Sequence, residues 1–133
     1  MLRVLTFVVL AALALILVAC GNQQADSPVG VVQSYITGRV ASDSALLVSI
    51  SCKDQESQAQ TDADSFKSMK ANIDSMSCNQ AGTDGNFTIV ACQGKVTTTY
   101  AGESRTWNLG DRNFKTVQED GKWKVCGTTA ATQ

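Results

Sequence analysis

The chain is predicted to be an α+β protein whose N-terminal helices pack on a curved, four-stranded antiparallel meander sheet. Three observations point there. Val29, Val32, Ile36 and Val40 recur at steps of three and four, which marks one face of a helix. From about residue 73 onward, β-branched and aromatic residues lie between turn signals at hairpin spacing. The helical half precedes the extended half, an order that puts helices on one face of an antiparallel sheet rather than between parallel strands.

Before the first helix lies a leader with a lone Arg3, an apolar run over residues 4–18, and Leu17-Val18-Ala19-Cys20-Gly21. The run is short for a helix crossing about 30 Å of hydrocarbon. A cationic start, an apolar middle and small residues near the end form an export signal that is later removed. The stretch resembles a bacterial lipoprotein signal, in which the cysteine is acylated and becomes the mature N-terminus. That resemblance implies a signal over residues 1–19, lipid attachment at Cys20, a polar tether over residues 20–26, and a domain held outside the cytoplasm. The destination is then the outer face of a cytoplasmic membrane or the periplasmic side of an outer membrane. At about 0.8 kcal/mol per buried methylene, two or more acyl chains anchor stably.

Each element of the domain has its own signal. Ser27 followed by Pro28 starts the first helix, with a hydroxyl to cap free amides and a ring pre-set for the first turn. Residues 42–47 supply a second cap and a short apolar turn ending near Cys52, and Phe66, Met69 and Ile73 predict a third helix around 62–71. Strands are expected near 73–80, 87–100, 104–117 and 122–126, with turns at 84–86, 101–103 and 119–121. In that register Val96, Thr98 and Tyr100 oppose Leu109, Trp107 and Arg105, while Phe114 and Thr116 oppose Gly127 and Val125. Gly94 and Gly110 read as bulges that curve the long strands. Residues 128–133 read as a disordered tail.

Setting Cys20 aside leaves Cys52, Cys78, Cys92 and Cys126, an even set that suits two disulfides in an exported chain. Three pairings are open. Folding the hairpin at 84–86 places Cys78 opposite Cys92, which favours that pair and leaves Cys52 with Cys126. Against the second pair, Cys126 shares strand phase with Lys122 and Lys124. A zinc site is disfavoured because the chain has no histidine and no C-x-x-C pair.

The order of a helix from Pro28, a short second helix, a polar helical stretch and a meander closing on Gly121-Lys122-Trp123-Lys124-Val125 resembles the nuclear transport factor 2-like, cystatin-like cone superfamily. The resemblance spans residues 27–127 and implies a curved sheet wrapped around a long helix. It includes enzymes as well as binding modules, so the fold leaves the activity open.

Residue chemistry narrows the choice. Without histidine, no Ser-His or Cys-His arrangement can form, and neither a phosphate-binding loop nor a dinucleotide fingerprint occurs. An Asp and Tyr pair is the remaining acid-base option, drawn from Asp74, Asp111, Tyr35 and Tyr100, but none lies in a catalytic motif. Catalysis and cofactors are therefore not expected. Removing residues 1–19 from 133 leaves 114, with 10 Lys plus Arg against 12 Asp plus Glu, which disfavours nucleic acid. The expected function is a binding module for a small apolar ligand or an envelope protein. Tyr35, Tyr100, Trp107 and Trp123 are its candidate pocket; the alternative is a structural homodimer formed through the sheet.

Overall fold

A computed structural model describes residues 26–131. The leader at 1–19, Cys20 and residues 21–25 of the tether lie outside the described residues, as do residues 132–133. Among the described residues no helix is long and apolar enough to cross a membrane.

Helix α1 spans Pro28–Val40 and starts as its sequence directs, with Ser27 Oγ accepting from the Gly30 amide at 2.9 Å and proline in the first turn. Its buried face carries Val31, Val32, Tyr35 and Ile36, while Val29 and Val40 flank the core. Helix α2, Ser44–Ile50, is capped by Asp43, which accepts from the Leu46 amide at 3.0 Å, and it buries Leu47 and Ile50. A short 3-10 turn, Lys53–Gln55, leads into α3, Glu56–Asp64.

The third helix thus lies earlier than the 62–71 expected. Its buried residues are Ala59 and Ala63, both fully inaccessible and four apart, so it packs through small side chains that carry little hydropathic signal. The 66, 69, 73 spacing instead spans the end of the turn after α3 and the start of the first strand.

Among the described residues the sheet has five strands, not four: β1 Lys70–Asp84, β2 Phe87–Tyr100, β3 Glu103–Asn108, β4 Arg112–Glu119 and β5 Lys122–Ala130. Their order is β1-β2-β4-β5, with β3 also paired to β2. The expected strand at 104–117 is cut by a 3-10 turn, Leu109–Asp111, that drops Leu109 into the core. Lys95 faces Asn108 and Val90 faces Phe114, so the two segments follow one edge of β2 with one extra residue across the break. Gly110 therefore marks an interruption rather than a bulge.

Turn geometry explains the remaining shifts in register. Ala101 and Gly102 have φ of 50° and 82°, and Asp120 and Gly121 have 50° and 74°, giving two-residue turns whose twist suits a hairpin. The shorter first turn pairs Tyr100 with Glu103, Thr98 with Arg105 and Val96 with Trp107. At the β1/β2 turn Asp84 meets Phe87, one step from the expected pairing, yet the irregularity between Gln80 and Gly82 restores the offset and sets Cys78 opposite Cys92. Strand β5 also runs to Ala130, taking in the first half of the expected tail.

The bulge expected at Gly94 lies instead on the facing strand: β1 carries the extra residue and Gly94 sits opposite it. At φ +125° Gly94 faces the Ser75 and Met76 step of β1, and a Cβ there would press on the Ser75 carbonyl oxygen. The core lies between the helices and the inner sheet face, around Val31, Val32, Leu47, Val90, Val96 and Val125. The buried Thr116 hydroxyl is satisfied by the Thr88 carbonyl at 2.9 Å.

The cysteines pair as Cys78 with Cys92 and Cys52 with Cys126, with Cα separations of 4.0 and 5.0 Å. The second pair forms although Cys126 shares strand phase with Lys124, because that face of β5 meets the end of α2: Lys124 Nζ donates to the Ser49 carbonyl and Cys126 bonds to Cys52. Chain entropy assigns about 3 kcal/mol to the shorter loop and about 4.5 kcal/mol to the longer. Replacing Cys52 and Cys126 by alanine is therefore expected to lower the denaturation midpoint more than replacing Cys78 and Cys92. Equal losses would show that loop length does not govern the effect. Gly94→Ala is expected to cost about 1–3 kcal/mol by the same assay; an unchanged midpoint would refute the close approach to Ser75.

Candidate functional site

A cavity of about 320 Å³ opens where α1 and α3 meet β4 and β5. Two helical pairs, each four residues apart, supply one wall: Tyr35 and Arg39 from α1, Gln58 and Asp62 from α3. The sheet supplies Arg112, Phe114, Val125, Gly127 and Thr128. Phe114 pairs with Thr128 and Thr116 with Val125, so β5 holds one more residue than β4 between these pairs. Gly127, at φ +94°, takes up this bulge and lets both Val125 and Thr128 line the cavity.

Asp62 is the hub. Its Oδ2 accepts from the Tyr35 hydroxyl at 2.9 Å and its Oδ1 accepts from Gln58 Nε2 at 2.9 Å. Arg39 Nε approaches Oδ2 only to 3.9 Å, an ion-pair distance rather than a hydrogen bond. The Arg39 guanidinium instead lies over the rings of Phe66 and Trp107, at 5.3 and 5.5 Å from their centroids. Its Nε is buried and finds no hydrogen-bond acceptor among the described residues. On the other rim Arg112 Nε donates to Thr128 Oγ1 at 2.9 Å. Tyr35 meets the Phe114 ring edge-on at 6.3 Å, closing the apolar floor.

Burial and the adjacent Asp62 carboxylate push the Tyr35 hydroxyl well above the ordinary tyrosine range. Tyr35 therefore stays protonated near neutral pH. The arrangement offers donors from two guanidinium groups around an apolar floor.

The four aromatic residues expected to form one pocket do not come together. Tyr35 lines this cavity, whereas Tyr100 is 60% exposed in a separate groove of about 360 Å³ with Ser68, Met69, Thr98, Glu103 and Arg105. Trp107 packs on Phe66 at 6.3 Å between ring centroids, and Trp123 rests half-buried against the core. Asp74 holds Asn72 and Thr97 on the outer face of the sheet, and Asp111 ends the 3-10 turn after β3. Cys20 lies outside the described residues. Arg39, Asp62 and Arg112 were not singled out from sequence; the four-residue spacing of Tyr35 with Arg39 and of Gln58 with Asp62 was the available signal, hidden by the misplaced third helix.

No protein-family model matches the chain, and no curated protein matches it. Two solved structures are similar in fold. One is the solution structure of a SEC-C motif containing protein from Rhodopseudomonas palustris, at 11% identity, covering 80% of each chain with a TM-score of 0.52. The other is the crystal structure of the helical cell shape determining protein Pgp2 from Campylobacter jejuni, at 9% identity and TM-score 0.50, covering 76% of this chain and 39% of that one. At these identities the likeness concerns the fold alone. Neither is described as a nuclear transport factor 2-like or cystatin-like protein, and the four-stranded cone expected from sequence gives way to the five-stranded sheet described above.

Tyr35→Phe is expected to cost about 1–3 kcal/mol at neutral pH, because Asp62 loses a buried donor. The raised proton affinity of Tyr35 means its contribution is complete below about pH 10, the ordinary tyrosine value, and is lost as pH rises through the higher folded-state value. The difference in denaturation midpoint between the native chain and the variant should accordingly shrink above pH 10. A difference independent of pH would remove the Tyr35–Asp62 bond as its source.

Proposed function

We propose that this protein is a lipid-anchored, extracytoplasmic binding domain that holds a small amphipathic ligand in the cavity between α1, α3, β4 and β5, without catalysis. The observation that carries the reading is the convergence of Arg39, Asp62 and Arg112 on a concave site floored by Phe114 and Val125. A few oriented polar groups above an apolar floor, in a volume of about 320 Å³, is the usual composition of a small-molecule site. The aromatic residues pointed from sequence to an apolar ligand; the charged rim favours one with a polar end. The pattern around Cys20 and the two cysteine pairs support export and anchoring.

Two measurements test this reading. Expression of the full chain in bacteria with labelled palmitate should label the protein, and Cys20→Ala should abolish the label and release the domain from membranes. An intact leader with an unmodified Cys20 in mass spectrometry would overturn the anchor. Native mass spectrometry of the extracted protein should show a retained small molecule at one per chain, lost in Thr128→Trp, which fills the rim. Retention unchanged by Thr128→Trp would move the ligand elsewhere.

The exposed Tyr100 in its groove at the β2/β3 turn supports a second reading, a homodimer formed through the sheet. Light scattering should then show a dimer that Tyr100→Ser dissociates, and a monomer at high concentration would exclude it.

A further inference from the structure

We propose that the cavity selects an organic carboxylate, seating the anionic head between Arg39 and Arg112 and the apolar body on Phe114 and Val125. This assignment rests on the binding reading above and adds the charge of the ligand.

Two arginines line the cavity and one carboxylate faces them. Both oxygens of that carboxylate already accept, from Tyr35 and from Gln58, each at 2.9 Å. Asp62 is thus satisfied by neutral donors and leaves Arg39 Nε, 3.9 Å away, without a hydrogen-bond partner among the described residues. A buried donor lacking an acceptor is uncommon, because leaving it unpaired costs free energy. Stacking on Phe66 and Trp107 fixes the guanidinium plane without using its N–H groups. Arg112 is oriented through Nε on Thr128 Oγ1, which leaves its terminal amino groups to donate, and no carboxylate lies within ion-pair distance of it among the described residues.

A guanidinium presents a planar fork of donors that matches the two oxygens of a carboxylate. Two such groups and one engaged aspartate leave the cavity with a net positive charge. The floor argues for an organic body, since an inorganic oxoanion gains nothing from Phe114 and Val125. A volume of about 320 Å³ suits a compact acid rather than a long acyl chain.

The test compares hexanoate, hexanamide and inorganic phosphate by NMR titration of the oxidised, extracted protein. Hexanoate should shift the Gln58, Val125 and Thr128 amides saturably, with hexanamide and phosphate each bound at least tenfold more weakly. Arg112→Gln, at an exposed position that leaves the core untouched, should weaken hexanoate tenfold or more while leaving hexanamide unchanged, and Arg39→Gln should do the same. Equal binding of hexanamide, or hexanoate binding indifferent to both substitutions, would overturn carboxylate selection while leaving a binding cavity in place. Phosphate binding as tightly as hexanoate would reassign the site to a free oxoanion. Absence of all three from the cavity would overturn carboxylate selection, and a retained neutral molecule in native mass spectra would then keep the broader binding reading alive.

Discussion

The junction between the helical layer and strand β5, at Ser51 and Cys52, is the constraint on which the rest of the structure depends. Ser51 forms a parallel bridge with Val125, the Cys52 amide donates to the Val125 carbonyl at 2.9 Å, and Cys52 is bonded to Cys126 across 74 residues of chain. The buried Ser51 hydroxyl donates to the Leu47 carbonyl at 2.7 Å, and Lys124 Nζ donates to the Ser49 carbonyl. A covalent link and a pair of backbone contacts therefore fix the exit of α2 to the sheet edge. They also cover part of that edge, whose unpaired backbone groups would otherwise be open to another chain. Everything that follows in the chain before β1, including α3, is placed by this attachment.

The placement of α3 is what creates the cavity. Helix α3 is short, polar on most of its surface, and anchored through Ala59 and Ala63, so its own apolar contribution is small. Once it is held beside α1, Asp62 reaches Tyr35 while keeping the bond from Gln58 of its own helix, and the carboxylate is partnered mainly by neutral donors rather than by the nearby arginine. The consequence is electrostatic: the protein uses neutral hydrogen bonds to satisfy its acid and keeps guanidinium groups for the cavity. Charge-assisted hydrogen bonds to a guanidinium are stronger than neutral ones, so such an arrangement favours an anionic guest over its neutral amide.

The architecture was legible in the sequence where a local signal and the tertiary structure agreed. Ser27 with Pro28 and Asp43 started helices where expected, and the Asp-Gly step at Asp120 and Gly121 made the hairpin it signals. Cys78 met Cys92 although the turn was misjudged by one residue, because the irregularity near Ala81 compensated. The extra strand was hidden because a buried Leu109 in a 3-10 turn leaves the alternation of apolar residues almost intact on both sides. Helix α3 was misplaced for the opposite reason: alanine burial gives little periodic signal, while Phe66, Met69 and Ile73 mimic a helix by chance. The site went with it. Tyr35 was recognised as a candidate, but Asp62 acquires meaning only when α3 lies beside α1.

Hydrogen exchange of the α3 amides, with and without the Cys52–Cys126 bond, tests the central dependence most directly. With Cys52 and Cys126 replaced by alanine, amides across Glu56–Asp64 should lose protection while those of β1 and β2, held by Cys78 and Cys92, keep theirs. Unchanged protection in α3 would contradict the account, because the helix would then hold its place, and the cavity its shape, without the junction to β5.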